Sequence, residues 1–221
     1  MVNDRPTVYN TSSVYKEAGG GGSIPDTYKQ IIYLRNKNNG WVKIPTDNIY
    51  GWGVEGVFAL NSYSASGPNG FFSHRGDSND TLGITPSDKR LDINNHTFVG
   101  SYTLSDLNNF EPFKINIRQN DTNNINGVVS YGSTSINVSV NSNARTMGTY
   151  ITLFRDSDNP FGNSKRIDIY YFKFFNTKNE LMLDLVPVIR TGDNAKGFFD
   201  KLTNNFYACE GQGDLEPGPI I

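Results

Sequence analysis

The sequence predicts an all-β sandwich, and three observations support this. Short segments of alternating apolar and polar residues recur along most of the chain, with Gly, Asn and Asp clustered between them. No segment carries a convincing amphipathic helix. The chain has 221 residues, 36% of them hydrophobic, which is enough for one sizeable core. We therefore expect one main β domain over residues 24–221, preceded by an extended N-terminal segment, residues 1–23.

The strongest strand signal is the run RIDIYYFKFFNTKNELMLDLVPVIR, residues 166–190. Two segments rich in β-branched and aromatic residues flank residues 176–179, whose polar side chains favour a turn. The run therefore predicts a long antiparallel hairpin. Alternation in its first strand breaks at Phe172, Phe174 and Phe175, so either both faces of that strand are covered or a β-bulge shifts the phase.

The other candidate strands are short and are bounded by turn residues, at spacings typical of a sandwich. Alternation is cleanest at 113–117 and 136–140, which predicts half-buried strands with one polar face. The candidates are 28–34, 41–44, 54–60, 81–84, 97–103, 113–118, 126–131, 134–140, 150–154, 196–201 and 204–209.

The first residues differ from the rest of the chain. Val8-Tyr9 recurs as Val14-Tyr15, and a glycine tract at 19–22 follows. The segment has so few apolar residues that their burial cannot offset the entropy lost when the segment becomes ordered. Its isolated Val and Tyr side chains therefore favour binding to a surface on another molecule. We interpret the segment as a docking peptide followed by a flexible linker. The alternative is a terminus with no binding role.

Several C-terminal segments together resemble a known family. YYFK, DLVPV, GFFD and NNFY occur in this order and precede the Gly-rich ending GQGDLEPGP. This order is similar to the C-terminal signature of concanavalin-like (laminin-G-like) jelly rolls in phage structural proteins. The match covers residues 150–219. The usual Tyr-Ile and Asp-Thr-Gly opening of that family is absent here, and WVKIPTDNIYG at 41–51 is the candidate substitute.

The resemblance implies a jelly-roll sandwich in a tailed-phage virion protein that is assembled in the cytoplasm of the bacterial host. A capsid decoration or head-fibre protein is the favoured reading, because the docking peptide leads directly into one domain. A tail-fibre or receptor-binding tip is the alternative within the virion class, and a glycan-binding lectin module is the alternative outside it. The expected partners are other virion proteins and, in the alternatives, host-surface glycans. Association of several copies is left open.

Composition disfavours two classes of partner. The net charge of −2 and the pI near 5.7 provide no strong positive field for nucleic acid or an anionic membrane surface. No segment approaches the roughly 18 consecutive apolar residues of a membrane span. Residues 1–6 lack the basic-then-apolar order of a signal peptide. Cys209 is the only cysteine, so no disulfide can form within the chain, and we expect it to be a small buried apolar residue.

The sequence predicts no enzyme. A glycosidase of this fold would need carboxylates paired on one strand, and the six glutamates of the chain are scattered. His74 and His96 have no metal-ligand spacing with each other or with Cys209. Ser73 beside His74 lacks the sequence context of a nucleophile.

Two ligand sites remain as alternatives to purely structural interpretations. Residues 156–162 begin like a calcium loop with Asp156, Asp158 and Asn159, but Pro160 and Phe161 then interrupt the ligand pattern, which favours a turn and no cofactor. The glycan-binding candidates are Trp41, Trp52 and Tyr63, for which core packing is the competing interpretation.

Overall fold

The fold is all-β, as the sequence predicts. The computed structural model describes residues 22–37, 40–46, 53–60, 69–75, 79–85, 88–95, 98–119, 124–141, 149–154, 167–210 and 213–221. These residues form seventeen β-strands and no α-helix, and every strand pair is antiparallel. The described part of the chain contains no helix with the length and apolar character to cross a membrane.

The strands are β1 Tyr28–Gln30, β2 Leu34–Lys37, β3 Trp41–Pro45, β4 Gly53–Leu60, β5 Asn69–Arg75, β6 Asn79–Thr85, β7 Arg90–Asn95, β8 Phe98–Thr103, β9 Phe113–Gln119, β10 Asn124–Tyr131, β11 Thr134–Asn141, β12 Tyr150–Leu153, β13 Ile167–Phe175, β14 Leu181–Arg190, β15 Lys196–Asp200, β16 Asn205–Glu210 and β17 Asp214–Pro217.

The strands form two layers that are joined through β16. The first layer follows the order β11-β10-β9-β4-β13-β14-β15-β16. The second follows the order β3-β12-β5-β6-β7-β8. β16 pairs with β15 through residues 205–208 and with β3 through Cys209 and Glu210. The two layers are therefore parts of one rolled antiparallel sheet.

The roll is nearly closed, because its last strands β8 and β11 meet through side chains. The Tyr102 hydroxyl donates to the carbonyl oxygen of Ser139 at 2.6 Å and accepts from the Ser139 N–H at 2.7 Å. Gly100 on β8 faces Val140 on β11, and a Cβ atom at Gly100 would lie 2.1 Å from Val140 Cγ2. The absence of a side chain at Gly100 thus permits the close approach of the two strands.

The predicted C-terminal hairpin is confirmed as β13 and β14. At its turn, Asn176 Oδ1 accepts hydrogen bonds from the N–H groups of Lys178 at 3.0 Å and Glu180 at 2.9 Å. A β-bulge causes the broken alternation in β13. The β13 register shifts against β14 between Phe174 and Phe175, and it shifts against β4 just after Ile169.

Aromatic side chains fill the space between the layers. Phe72 of β5 lies 5.5 Å from Phe172 and 5.7 Å from Phe174 of β13, measured between ring centroids. Phe71, its neighbour in β5, packs on Phe58 at 4.9 Å and on Phe113 at 5.5 Å. All six rings are at most 1% exposed. Both phenylalanines of β5 face inward because a register shift lies between Gly70 and Phe72.

The structure differs from the predicted strands in two ways. The strand predicted at 28–34 is divided into β1 and β2, because β1 pairs with the far end of β14 whereas β2 pairs with β13 and β17. A single straight strand cannot reach both partners. The prediction also missed β5, β7 and β17. The bulge hides the alternation of β5. β7 places only Leu91 and Ile93 in the core and β17 only Leu215, and the remaining residues of both strands are mostly polar, so their strand conformation depends on pairing with β6, β8 and β2.

Candidate functional site

Charged and aromatic residues collect on the outer face of the first layer, defined here as the side that points away from the core. In β13 the side chains of Ile167, Ile169, Phe172 and Phe174 belong to the core, so Asp168 and Lys173 extend to the other side. The outer face carries three groups: an arginine with aromatic neighbours, a row of charges and an apolar cluster under the first residues of the β domain.

Arg35 lies at the centre of the first group. On the outer face it stands directly opposite Asp168 of β13 and Glu216 of β17. Arg35 Nε donates to Asp168 Oδ1 at 2.6 Å and Nη2 donates to Oδ2 at 2.7 Å. The side chain of Asp168 is 2% exposed and that of Arg35 is 13% exposed. Burial alone would lower the pKa of Arg35, but its hydrogen bonds to Asp168 and the charges of Asp168 and Glu216 raise it above the usual value. The guanidinium is thus a fixed cation between two carboxylates.

Two aromatic rings lie next to the Arg35 guanidinium. Arg35 Cζ lies 5.1 Å from the centroid of the Tyr33 ring and 5.8 Å from that of Phe110. Tyr33 also contacts Tyr170, with ring centroids 5.4 Å apart. Burial, and then the charge of Asp168, raises the pKa of Tyr170. We call Tyr33, Arg35 and Phe110 the Arg35 stack.

The C-terminal segment fixes Tyr33 in the stack. The Gly218 N–H donates to the Tyr33 carbonyl oxygen at 2.9 Å. A Cβ atom at Gly218 would lie 2.9 Å from Cδ1 of the Tyr33 ring. Glycine at this position therefore allows the backbone to pass directly against the ring.

Phe110 is held in an unfavourable backbone conformation. Its φ of 63° lies in the left-handed region, where a bulky residue costs about 1–3 kcal/mol. Its N–H donates to the carbonyl oxygen of Leu60 at 2.7 Å. The preceding Asn108 N–H donates to the carboxylate of Glu111 at 2.9 Å, and Leu107 is fully buried. The loop is thus anchored on both sides of Phe110, whose side chain is 38% exposed.

A row of alternating charges crosses the centre of the outer face. Glu55 of β4 stands opposite Lys173 of β13, which stands opposite Asp184 of β14. Lys173 Nζ lies 3.8 Å from Asp184 Oδ1, and Lys201 Nζ lies 3.9 Å from Asp184 Oδ2. Asp184 is 1% exposed, and the two ammonium groups compensate its charge in this partly dry environment.

Glu55 has further partners on β9 and β13. Lys114 Nζ lies 3.1 Å and Arg118 Nη2 lies 3.3 Å from its carboxylate, and the Tyr171 hydroxyl donates to it at 3.3 Å. Burial alone would raise the pKa of Glu55, but the hydrogen bond and charge of Lys114, then the charge of Arg118, lower it below the ordinary value. Burial lowers the pKa of Arg118, whose guanidinium stacks on Phe175 at 3.5 Å from the ring centroid. The Glu55 carboxylate is therefore saturated with cations and is unsuited to act as a general acid at neutral pH.

The third group is an apolar cluster that the first residues of the β domain cover. Ile24 and Tyr28 pack on Val186, Val188, Phe199 and Phe206. The Tyr28 ring centroid lies 5.0 Å from that of Phe199 and 5.5 Å from that of Phe206. The Gly22 N–H donates to the Lys201 carbonyl oxygen at 3.2 Å. The end of the glycine tract is thus fixed to the domain.

Trp41 is the one candidate ligand residue from the sequence that falls among the described residues. It is half-buried in β3 of the second layer, opposite Glu210, and so lies on a different layer from the Arg35 stack. All other candidates fall outside the described residues and stay predictions. They are the docking residues Val8, Tyr9, Val14 and Tyr15, the glycan candidates Trp52 and Tyr63, and the calcium candidates Asp156, Asp158 and Asn159.

Two other expectations concern residues with reactive side chains. Cys209 is half-buried, although the sequence predicted a buried residue, because it sits where β16 leaves β15 to join β3. Burial raises the pKa of its thiol. His74 lies in β5 opposite Asp80 and Ile151. Across the described ranges, no three His, Cys, Asp or Glu side chains are grouped so as to hold a metal ion.

Sequence reasoning missed the Arg35 stack, although one signal for it exists. Asp168 is a charged residue inside the otherwise apolar sequence IDIYYF, where a buried charge needs a partner such as Arg35. Their pairing depends on β2 lying next to β13, which no local pattern indicates. Phe110 lies between the predicted strands at 97–103 and 113–118, and its ring could not be connected with Arg35 before the fold was known.

Comparisons of the chain with protein-family models, with curated proteins and with solved structures find no match.

Proposed function

We propose that this protein is a non-enzymatic structural protein of a tailed-phage virion. It attaches to the capsid through its N-terminal segment, as a head fibre or decoration protein, and its rolled β domain is a concanavalin-like jelly roll. One observation supports the proposal most: the segments that resemble the phage family form four consecutive strands, β13 to β16, and each pairs with the next. The two layers with aromatic rings between them are compatible with a sandwich.

The position of Gly22 limits the distance between the β domain and the particle surface that binds the peptide. Residues 16–21 lie between Gly22 and Tyr15, the nearest of the proposed anchors. A fully extended chain from Tyr15 to Gly22 spans at most about 25 Å. The particle surface that binds the peptide therefore lies within about 25 Å of the turn between β15 and β16. Burial of each Val or Tyr anchor contributes on the order of 1.5–3 kcal/mol, so four anchors are sufficient for stable attachment.

The test replaces Tyr9 and Tyr15 together by Ala in the full chain, with a matched variant that carries Thr11→Ala and Ser13→Ala. Particles are assembled with each variant as the sole copy of the protein. We expect the tyrosine variant to be lost from purified particles and the control to be retained, with equal melting temperatures. Normal copy number of the tyrosine variant would refute peptide attachment.

Glycan recognition, as in a tail-fibre or receptor-binding module, is the second candidate function. The exposed ring of Phe110 beside the fixed guanidinium of Arg35 favours it. Under either function we expect the purified protein to leave β-glucans, capsular polysaccharide and peptidoglycan intact. Turnover that a single acidic substitution abolishes would exclude both functions in favour of an enzyme.

A further inference from the structure

The Arg35 stack has the composition of a small polar-aromatic binding site. An exposed aromatic ring lies beside a planar cation, and that cation lies between two carboxylates. We propose that Phe110, Arg35, Tyr33 and Glu216 bind a neutral pyranose residue of a host-surface glycan. This inference rests on the second candidate function, and it places the site on the outer face of the first layer, away from Trp41.

Phe110 provides the stacking surface. Its side chain is 38% exposed, whereas the other rings near Arg35, those of Tyr33 and Tyr170, are half-buried or buried. The apolar face of a pyranose packs on an aromatic ring through hydrophobic burial and dispersion, and it needs a ring that is held in place. The bond from the Phe110 N–H to Leu60 and the buried Leu107 hold the backbone that carries the ring.

Arg35 and Glu216 provide the polar contacts. A guanidinium has five N–H bonds in a fixed plane, and Asp168 accepts from two of its nitrogens, Nε and Nη2. The bidentate contact orients the plane, so the opposite edge of the guanidinium points away from Asp168. Glu216 stands beside it on β17 as an acceptor. A donor edge next to an acceptor is suited to two neighbouring hydroxyl groups of one sugar.

The charges select for a neutral ligand. Arg35 is the only cation of the stack, and it lies between the carboxylates of Asp168 and Glu216, so the group is negative in total. A uronic or sialic acid would bring its own carboxylate next to these charges and would be repelled. Uncharged hexoses and N-acetylhexosamines carry no such charge.

The backbone of Phe110 provides an independent argument. Glycine adopts a φ of 63° without steric cost, but this position carries a bulky aromatic residue. Phe154 is also held at positive φ, at 68°, but its ring is 1% exposed and contacts Phe198, so burial offsets its strain. Phe110 has less burial to offset the same cost. Backbone strain of this kind is concentrated at active sites and ligand-binding sites.

The experiment compares Phe110→Gly with Phe110→Tyr in the full chain, on an array of neutral and acidic glycans, with thermal melting measured in parallel. The wild type should bind one or more neutral glycans and no acidic ones. Phe110→Gly should weaken this binding at least tenfold, equivalent to about 1.4 kcal/mol, with an equal or higher melting temperature. Phe110→Tyr should retain binding. Lys89→Gly, a control at another residue with positive φ (49°), should leave binding unchanged.

Three outcomes would overturn the proposal. They are the absence of binding to all neutral glycans, unchanged binding by Phe110→Gly, and a lower melting temperature of Phe110→Gly, which would identify the ring as structural. Incorporation of the same variants into particles is measured separately. If Phe110→Gly incorporates normally and the wild type binds no glycan, the sugar site is wrong and the virion function stands. If the wild type binds glycan but is absent from particles, the sugar site stands and the virion function is wrong.

Discussion

Arg35 and Asp168 are 133 residues apart in the sequence and are joined by two hydrogen bonds of 2.6 and 2.7 Å. The pair fixes β2 to one end of β13, while β14 occupies the other end of the same edge of β13. The first strands of the chain are thus attached to the C-terminal hairpin by a buried ion pair, which also orients the proposed sugar site.

Replacing Asp168 by Asn should lower the free energy of unfolding by about 3 kcal/mol, because the Arg35 cation then remains largely buried without a counter-charge. Chemical denaturation measures the effect. The double replacement of Arg35 by Met and Asp168 by Leu should be much less destabilising, since no charge is then left buried. Equal losses in the two proteins would show that the pair is not a coupled unit.

Replacing Phe72 by Ala should lower the free energy of unfolding by about 3–5 kcal/mol. The ring is fully buried and connects β5 to Phe172 and Phe174 of β13, so its removal leaves a cavity between the layers. Leu202→Ala, at a side chain that is 41% exposed, is the control and should change stability by less than about 0.5 kcal/mol. A small change in the free energy of unfolding for Phe72→Ala would contradict the packing of β5 against β13.

The contact between β8 and β11 predicts non-additive mutations. Gly100→Ala should destabilise the protein because its Cβ would lie 2.1 Å from Val140 Cγ2. Val140→Ala removes that atom, so the double variant should be more stable than the sum of the single effects predicts, by about 0.5–3 kcal/mol. A thermodynamic cycle from urea denaturation measures this coupling. Strict additivity would show that the two strands do not meet.

Glu55 predicts a pH dependence of stability. Its folded-state pKa is lowered from 4.5, because the hydrogen bond and charge of Lys114 and the charge of Arg118 outweigh the effect of burial. The ionised carboxylate therefore stabilises the fold at pH values above 4.5, and this contribution is lost as the pH falls through the folded-state pKa. Unfolding free energies of the wild type and Glu55→Gln should converge as the pH decreases from about 6 to about 3. A constant difference would argue against the ion pairs of Glu55.

Local patterns predicted much of the C-terminal half and less of the rest. The hairpin of β13 and β14 was predicted because its strands are long and its turn carries residues such as Asn176, whose side chain bonds the turn backbone. β5 was missed because its bulge places both Phe71 and Phe72 in the core and removes the alternation. The break between β1 and β2 was missed because it results from two different partner strands.

The sequence by itself determined the β class and the C-terminal hairpin, because alternation and turn chemistry are local properties of the chain. The separate character of the N-terminal segment stays a prediction. The tertiary structure alone decided which strands are neighbours, that the end of the glycine tract is fixed at Gly22, and that Arg35, Phe110 and Glu216 meet on one face. Contacts between residues so distant in sequence depend on the pairing of whole strands, for which short-range patterns carry no information.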